Sequence, residues 1–136
     1  MLAQCLLLLR LAVAAFMLQW VIGKFVNPAE SAQAFAVFYK VDLDSRFSPL
    51  LGGAQLVAVI AFATGFRRWV SYGLIMAMNL IATLSTWQYL VDPFGSFEHR
   101  LFWNAVPVAV VSIVLFRMRN SDTLASLDSL IARRTA

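Results

Sequence analysis

Apolar residues fall into four long stretches along the chain, covering about residues 2–26, 50–66, 69–90 and 101–118, with polar segments between them. None of the stretches alternates apolar and polar residues with a period of two, and each is too long for an ordinary strand. The pattern therefore predicts helices. A hydrocarbon core about 30 Å thick is crossed by roughly 20 helical residues, with about 17–25 tolerated. All four stretches meet that range, the second and fourth at its short end. Strands would leave unpaired edges in lipid, which disfavours them further. The expected fold is all-α: an integral membrane four-helix bundle spanning residues 1–118, with the first stretch retained and not cleaved as a signal.

The connecting segments sharpen this expectation. Residues 65–68 allow only a tight turn, so the second and third helices must be antiparallel neighbours. Ser48 and Pro49 suit the N-cap and first position of the second helix. The one sizeable connection, 27–49, contains Asn27-Pro28-Ala29-Glu30, a helix start, with Phe35, Phe38 and Tyr39 near one face. A short interfacial helix in this first outer loop is expected. Asp92-Pro93-Phe94-Gly95 ends the third helix, Pro107 predicts a kink in the fourth, and Gly52-Gly53-Ala54 allows a close helix approach. The tail, 119–136, places Leu124, Leu127, Leu130 and Ile131 at helical spacing before Arg133 and Arg134. It is expected to be cytoplasmic, either as an amphipathic helix on anionic headgroups or frayed.

Composition supports a lipid environment: 61% of the 136 residues are hydrophobic and 13% charged, and the mean hydropathy is +0.76. Soluble domains carry about twice that share of charge, and one this small cannot hide so much apolar surface. The net charge of +4 comes from basic residues at the ends of apolar stretches. That distribution marks topology and headgroup contact, and it excludes nucleic acid as a partner class. Arg67, Arg68, Arg117, Arg119, Arg133 and Arg134 share one side, so the positive-inside rule places both termini in the cytoplasm. Lys24, Lys40, Arg46 and Arg100 then lie outside, among most of the acidic residues.

The chemistry is narrow. All seven carboxylates are expected outside the spans or at their rims, leaving no intramembrane proton carrier. One histidine and one cysteine cannot supply a bis-histidine haem, an iron–sulfur cluster or a zinc site. No nucleophile–base constellation and no phosphate loop appears. No catalytic residue, metal site or tightly bound cofactor is expected. Arg10 lies about two turns into the first helix, where an unpaired guanidinium costs a few kcal/mol. No carboxylate of the chain is expected at its depth, so it must snorkel to phosphate or meet a quinone carbonyl, a lipid headgroup or a partner's acidic residue. Lys24 is an interfacial anchor or a ligand contact. Tyr72, Asn79, Thr83 and Thr86 form a polar stripe that serves helix packing or lines a cleft. Gln19, Gln55 and Asn104, with His99 and Arg100 above them, are expected to converge on an outward-facing polar pocket.

Several of these segments resemble the DoxX family of small bacterial membrane proteins. The likeness is carried by Leu9-Arg10-Leu11, Gly23-Lys24-Phe25 with Pro28, Gly52-Gly53-Ala54-Gln55-Leu56 and Gly65-Phe66-Arg67-Arg68, within about residues 6–118. The resemblance implies a four-helix bundle of the bacterial inner (cytoplasmic) membrane that serves a redox or maturation system. The family takes its name from a subunit of a thiosulfate:quinone oxidoreductase. This chain has Gln55 where an acidic residue is common, and it lacks the cysteines of the MauE-type relatives. The leading expectation is a non-catalytic accessory subunit of a larger respiratory or redox membrane complex, with membrane lipids and other subunits as partners. A quinone-binding component of an oxidoreductase and an assembly or maturation factor are the alternatives. Arg10, Lys24, Gln55, Asn79, Thr83, His99 and Asn104 are the candidate contacts to a quinone or a specific phospholipid.

Overall fold

A computed structural model describes residues 1–135. The described residues are mostly helical, and none of them forms a strand. In chain order they form α1 (Leu2–Val26), α2 (Pro28–Ala34), a π-helical turn (Phe35–Tyr39), a 3₁₀ turn (Ser45–Phe47), α3 (Ser48–Ala63), α4 (Arg68–Ser85), α5 (Trp87–Val91), α6 (Phe97–Phe102), α7 (Ala105–Arg117) and α8 (Leu127–Thr135). Helix α1 packs against α3 and α7, while α4 packs against α3 and α7, so the four long helices close a ring. The core between them is built from Leu6, Val13, Met17, Val59, Phe62, Tyr72, Ile75 and Leu115.

Three helical stretches are long and apolar enough to cross a membrane by length and composition: Leu2–Val26, Ser45–Ala63 and Phe97–Arg117. Helix α4 has 18 residues but falls short in apolarity, because Arg68, Ser71, Tyr72, Asn79, Thr83 and Ser85 dilute it. Large apolar side chains nevertheless point outward from every long helix, including Leu8, Val57, Ile81 and Val110. A shell of exposed branched aliphatics around the bundle is the reverse of a soluble surface.

Two expected continuous helices are interrupted, for identifiable reasons. The stretch 69–90 divides at Thr86, whose backbone leaves the helical region at φ −101° and ψ 15°. Just before the break, the hydroxyls of Thr83, Ser85 and Thr86 donate to the carbonyls of Asn79, Ile81 and Ala82, with Thr86 also reaching Thr83. Such back-bonding bends helices. The stretch 101–118 divides at Trp103 and Asn104, upstream of Pro107. Pro107 has no N–H to offer the Trp103 carbonyl, and that carbonyl instead accepts from Val106 at 3.1 Å. At the expected kink the backbone stays in the right-handed helical region at Trp103 and Asn104 and tightens into a turn of i→i+3 bonds between α6 and α7.

Ser48 is the first residue of α3, not its cap, and its buried hydroxyl has no hydrogen-bond partner. The close approach expected at Gly52-Gly53 belongs to Gly52 alone: a Cβ there would lie 3.0 Å from the Lys24 Cβ and 3.1 Å from the Phe25 ring, whereas one on Gly53 would meet nothing within 4 Å. Gly52→Val is therefore expected to prise α3 from α1 at a cost of about 1–3 kcal/mol. Gly53→Val serves as the matched control in a thermal-unfolding comparison in detergent, and equal losses for both would contradict this packing.

Candidate functional site

The polar residues of the bundle separate into two groups, one at each end.

At the end that carries the chain termini, Arg10 is fully buried. Its Nη1 lies 3.2 Å from an Asp122 carboxylate oxygen, and both side chains are sealed from solvent. Nη1 also donates to the Tyr72 hydroxyl at 3.2 Å, and Nη2 to the Leu124 and Ala125 carbonyls at 2.8 and 3.1 Å. The Tyr72 hydroxyl in turn donates to Asp122 at 2.6 Å. This corrects one sequence expectation: a carboxylate of the chain does reach Arg10, and it arrives on the tail. The tail itself is helical over Leu127–Thr135, the first of its two expected forms.

The tail is held by the helix ends themselves. The last carbonyls of a helix and the first N–H groups of the next lack internal partners. Between α3 and α4 these groups are met by the tail: Leu127 N–H donates to the Thr64 carbonyl at 2.9 Å, and the Ser126 hydroxyl donates to that of Gly65 at 3.1 Å. Asp128 accepts from the N–H groups of Arg67 and Arg68 at 2.8 and 2.9 Å, placing negative charge at the N-terminus of α4, where the helix dipole favours it. Arg68 completes the clasp by donating to the Arg119 and Asp122 carbonyls, both at 2.8 Å. Beyond the clasp, α8 exposes Leu127, Leu130 and Ile131 alongside Arg133 and Arg134. Arg10 is thus a structural cation rather than a free ligand contact. Asp122, Ser126 and Asp128 were missed from sequence; the usable signal was that only Asp122 and Asp128 follow the fourth apolar stretch on the side of Arg10.

At the other end lies a chamber of about 460 Å³. Helix α1 lines it with Gln19, Trp20 and Lys24, α3 with Gln55, and α4 with Asn79 and Thr83. Its roof is the connection after α1: Glu30, Ser31 and Ala34 from α2, then Phe35, Phe38 and Tyr39 from the π-helical turn. Phe38 meets Tyr89 of α5 and Phe102 of α6 at centroid distances of 6.0 and 5.5 Å, and Tyr89 stacks on Phe102 at 4.5 Å. Aromatic contacts of this geometry favour one docked position for the roof. The volume falls in the range typical of small-molecule sites, roughly 300–1,000 Å³, which are mostly apolar with a few placed polar groups.

The side chains of the chamber differ in what they have left to offer. The Asn79 amide N–H groups are spent on the Ile75 carbonyl at 3.1 Å and the Ser112 hydroxyl at 2.9 Å, tying α4 to α7. The Thr83 hydroxyl proton is held by its own helix. Gln19, Gln55 and Tyr39 have no side-chain hydrogen bond among the described residues. Burial pushes the Tyr39 hydroxyl above the ordinary tyrosine range, so it remains a donor through neutral pH. Lys24 is 7% exposed, donates to the Trp20 carbonyl at 3.2 Å and lies 5.9 Å from the Phe35 ring centroid.

His99 and Asn104 do not join this chamber. His99 Nδ1 lies 2.7 Å from the Asp92 carbonyl, and the ring packs edge-on against Tyr89 at 5.0 Å, so it braces the turn between α5 and α6. Because a carbonyl only accepts, Nδ1 carries the proton in that bond. Asn104 is exposed.

No family model, curated protein or solved structure matches this chain.

No group of three or more metal-ligating side chains occurs among the described residues. The chamber offers unengaged donors, apolar walls and one ammonium.

Proposed function

We propose that this chain is a four-span protein of the bacterial inner membrane, with both termini cytoplasmic, whose outer chamber holds the head group of a membrane-borne amphiphile, a quinone or a lipid. In this reading it serves a larger redox membrane complex as a non-catalytic subunit. The observation that carries the proposal is the convergence of Lys24 and Gln19 from α1, Gln55 from α3 and Tyr39 from the roof on one cavity walled by aromatic rings. Free donors at the edge of an apolar site suit the oxygen atoms of an amphiphile's head.

The spans follow from the apolar stretches, and α4 counts as the fourth because the ring of long helices needs it across from α1. Its polar stripe faces inward, with Tyr72 and Asn79 buried, so lipid meets the remaining apolar face. The basic turn, the clasp and the Arg133–Arg134 pair lie at the same end, which supports a cytoplasmic assignment for it. The exposed leucines of α8 beside these arginines suit an anionic headgroup surface. The resemblance to DoxX proteins supplies the redox setting. An assembly-factor role through residues 27–49 has less support, because much of that segment is engaged as the roof.

The test is to purify the protein in mild detergent, exchange it into phosphatidylcholine nanodiscs and analyse its extract for retained quinones and lipids. Ala82 lines the chamber, so Ala82→Phe fills it. A specific amphiphile retained by the native chain and lost from this variant is the expected result. Equal retention by both would refute the chamber as a binding site.

A further inference from the structure

We infer that the chamber's occupant is anionic, and that it is the carboxylate of a single-chain fatty acid seated against Lys24; this rests on the chamber being a binding site.

The protein pairs two of its other buried or half-buried cations with carboxylates. Arg10 is sealed and meets Asp122 at 3.2 Å, and Arg68 meets Asp128 at 3.5 Å. Lys24, 7% exposed, has no carboxylate within 4.0 Å among the described residues. Of the three donors an ammonium carries, one reaches the Trp20 carbonyl, and the other two have no protein partner. Glu30 also lines the chamber, but its carboxylate accepts from the Asn27 amide at 2.7 Å on the exposed side. A cation withdrawn from water without a counterion is costly. The ring of Phe35, 5.9 Å away, offsets only a little of that cost. Lys24 is the only cation lining the chamber among the described residues, which matches a head group bearing a single negative charge.

The surrounding groups point the same way. A carboxylate accepts hydrogen bonds and offers none. The unengaged side-chain donors here are the Lys24 ammonium, the Gln19 and Gln55 amides and the Tyr39 hydroxyl. Phe16, Met78 and Phe102 provide apolar wall for a chain. The cavity of about 460 Å³ suits a head with one chain, not the branched glycerol and two chains of a phospholipid. Gly52 sets the position of the ammonium's stem, since only a residue without Cβ lets α3 approach Lys24 this closely.

The experiment uses the full chain in phosphatidylcholine nanodiscs with three probes: labelled palmitate, methyl palmitate and decylubiquinone. Palmitate is expected to bind saturably, and about tenfold or more tighter than its methyl ester, the scale of a charge-assisted hydrogen bond. Lys24→Met should weaken palmitate by a similar factor and the ester much less, because a bond to a neutral carbonyl is the weaker one, and Lys24→Arg should retain most of the affinity. Ala82→Phe should reduce binding of every probe. Thermal unfolding in the same discs establishes that each variant is folded, and Lys24→Gln replaces Lys24→Met should the latter unfold.

If methyl palmitate or decylubiquinone binds as tightly as palmitate and Lys24→Met changes nothing, the anionic occupant is refuted while the chamber stands. Displacement of palmitate by phosphatidylglycerol at equal concentration would refute the single-chain carboxylate in favour of a phospholipid headgroup. Binding of every probe unaffected by Ala82→Phe would remove the chamber and this inference together.

Discussion

Asp122→Ala is expected to destabilise the protein by about 3–5 kcal/mol, the usual loss when one partner of a buried ion pair is removed and the other is left without compensation. Arg10 is fully buried, so it cannot recover water when Asp122 is gone without opening the bundle end. The pair itself is not ideally satisfied: Arg10 Nε and Asp122 Oδ1 are both sealed without a hydrogen-bond partner. The arrangement therefore holds the tail in one place more than it adds net stability. A double replacement, Arg10→Met with Asp122→Leu, is accordingly expected to recover most of the loss. Thermal or denaturant unfolding of the three proteins in one detergent checks both statements. A midpoint for Asp122→Ala indistinguishable from that of the native chain would show that the pair is not formed.

Gly65→Ala is expected to loosen the tail by a different route. Gly65 sits at φ +64°, where an L-residue pays about 1–2 kcal/mol. A Cβ there would also lie 2.8 Å from the Ser126 hydroxyl and 3.0 Å from Arg10 Nη1. Strain and collision act on the same clasp, so the combined cost is expected to exceed about 2 kcal/mol. The sensitive readout is proteolysis after Arg119, whose carbonyl is held by Arg68 at 2.8 Å. Cleavage there should accelerate about tenfold or more, because proteolysis tracks the population of the opened tail. An unchanged rate would mean that the tail is not held against this turn.

The helices were readable because lipid-crossing length and uninterrupted apolarity are properties of a local stretch. Their breaks were less so. Pro107 announced its own, whereas the division at Thr86 depends on three hydroxyls turning onto backbone carbonyls, a choice between rotamers that composition does not reveal. In the chamber, Gln19, Gln55 and Lys24 were legible as polar positions toward the outer ends of apolar helices, and Asn79 and Thr83 as part of a polar stripe on the third. His99 and Asn104 share that depth in the sequence but do not line the chamber: His99 is held by the Asp92 carbonyl and Asn104 is exposed.

The partner of Arg10 lay beyond any local pattern. Its need for some partner, whether phosphate, a carbonyl or an acidic group, was plain from one charged residue inside an apolar run, and that much the amino-acid order settled alone, together with the all-helical character and the rough helix limits. Which carboxylate answers it, which donors remain unengaged around Lys24, and that residues 28–39 roof a cavity were decided only in three dimensions. The physical reason is one of range. Burial along a helix is governed by neighbours a turn away, while the pairing of charges and the closing of a cavity depend on segments that meet only once the chain has packed.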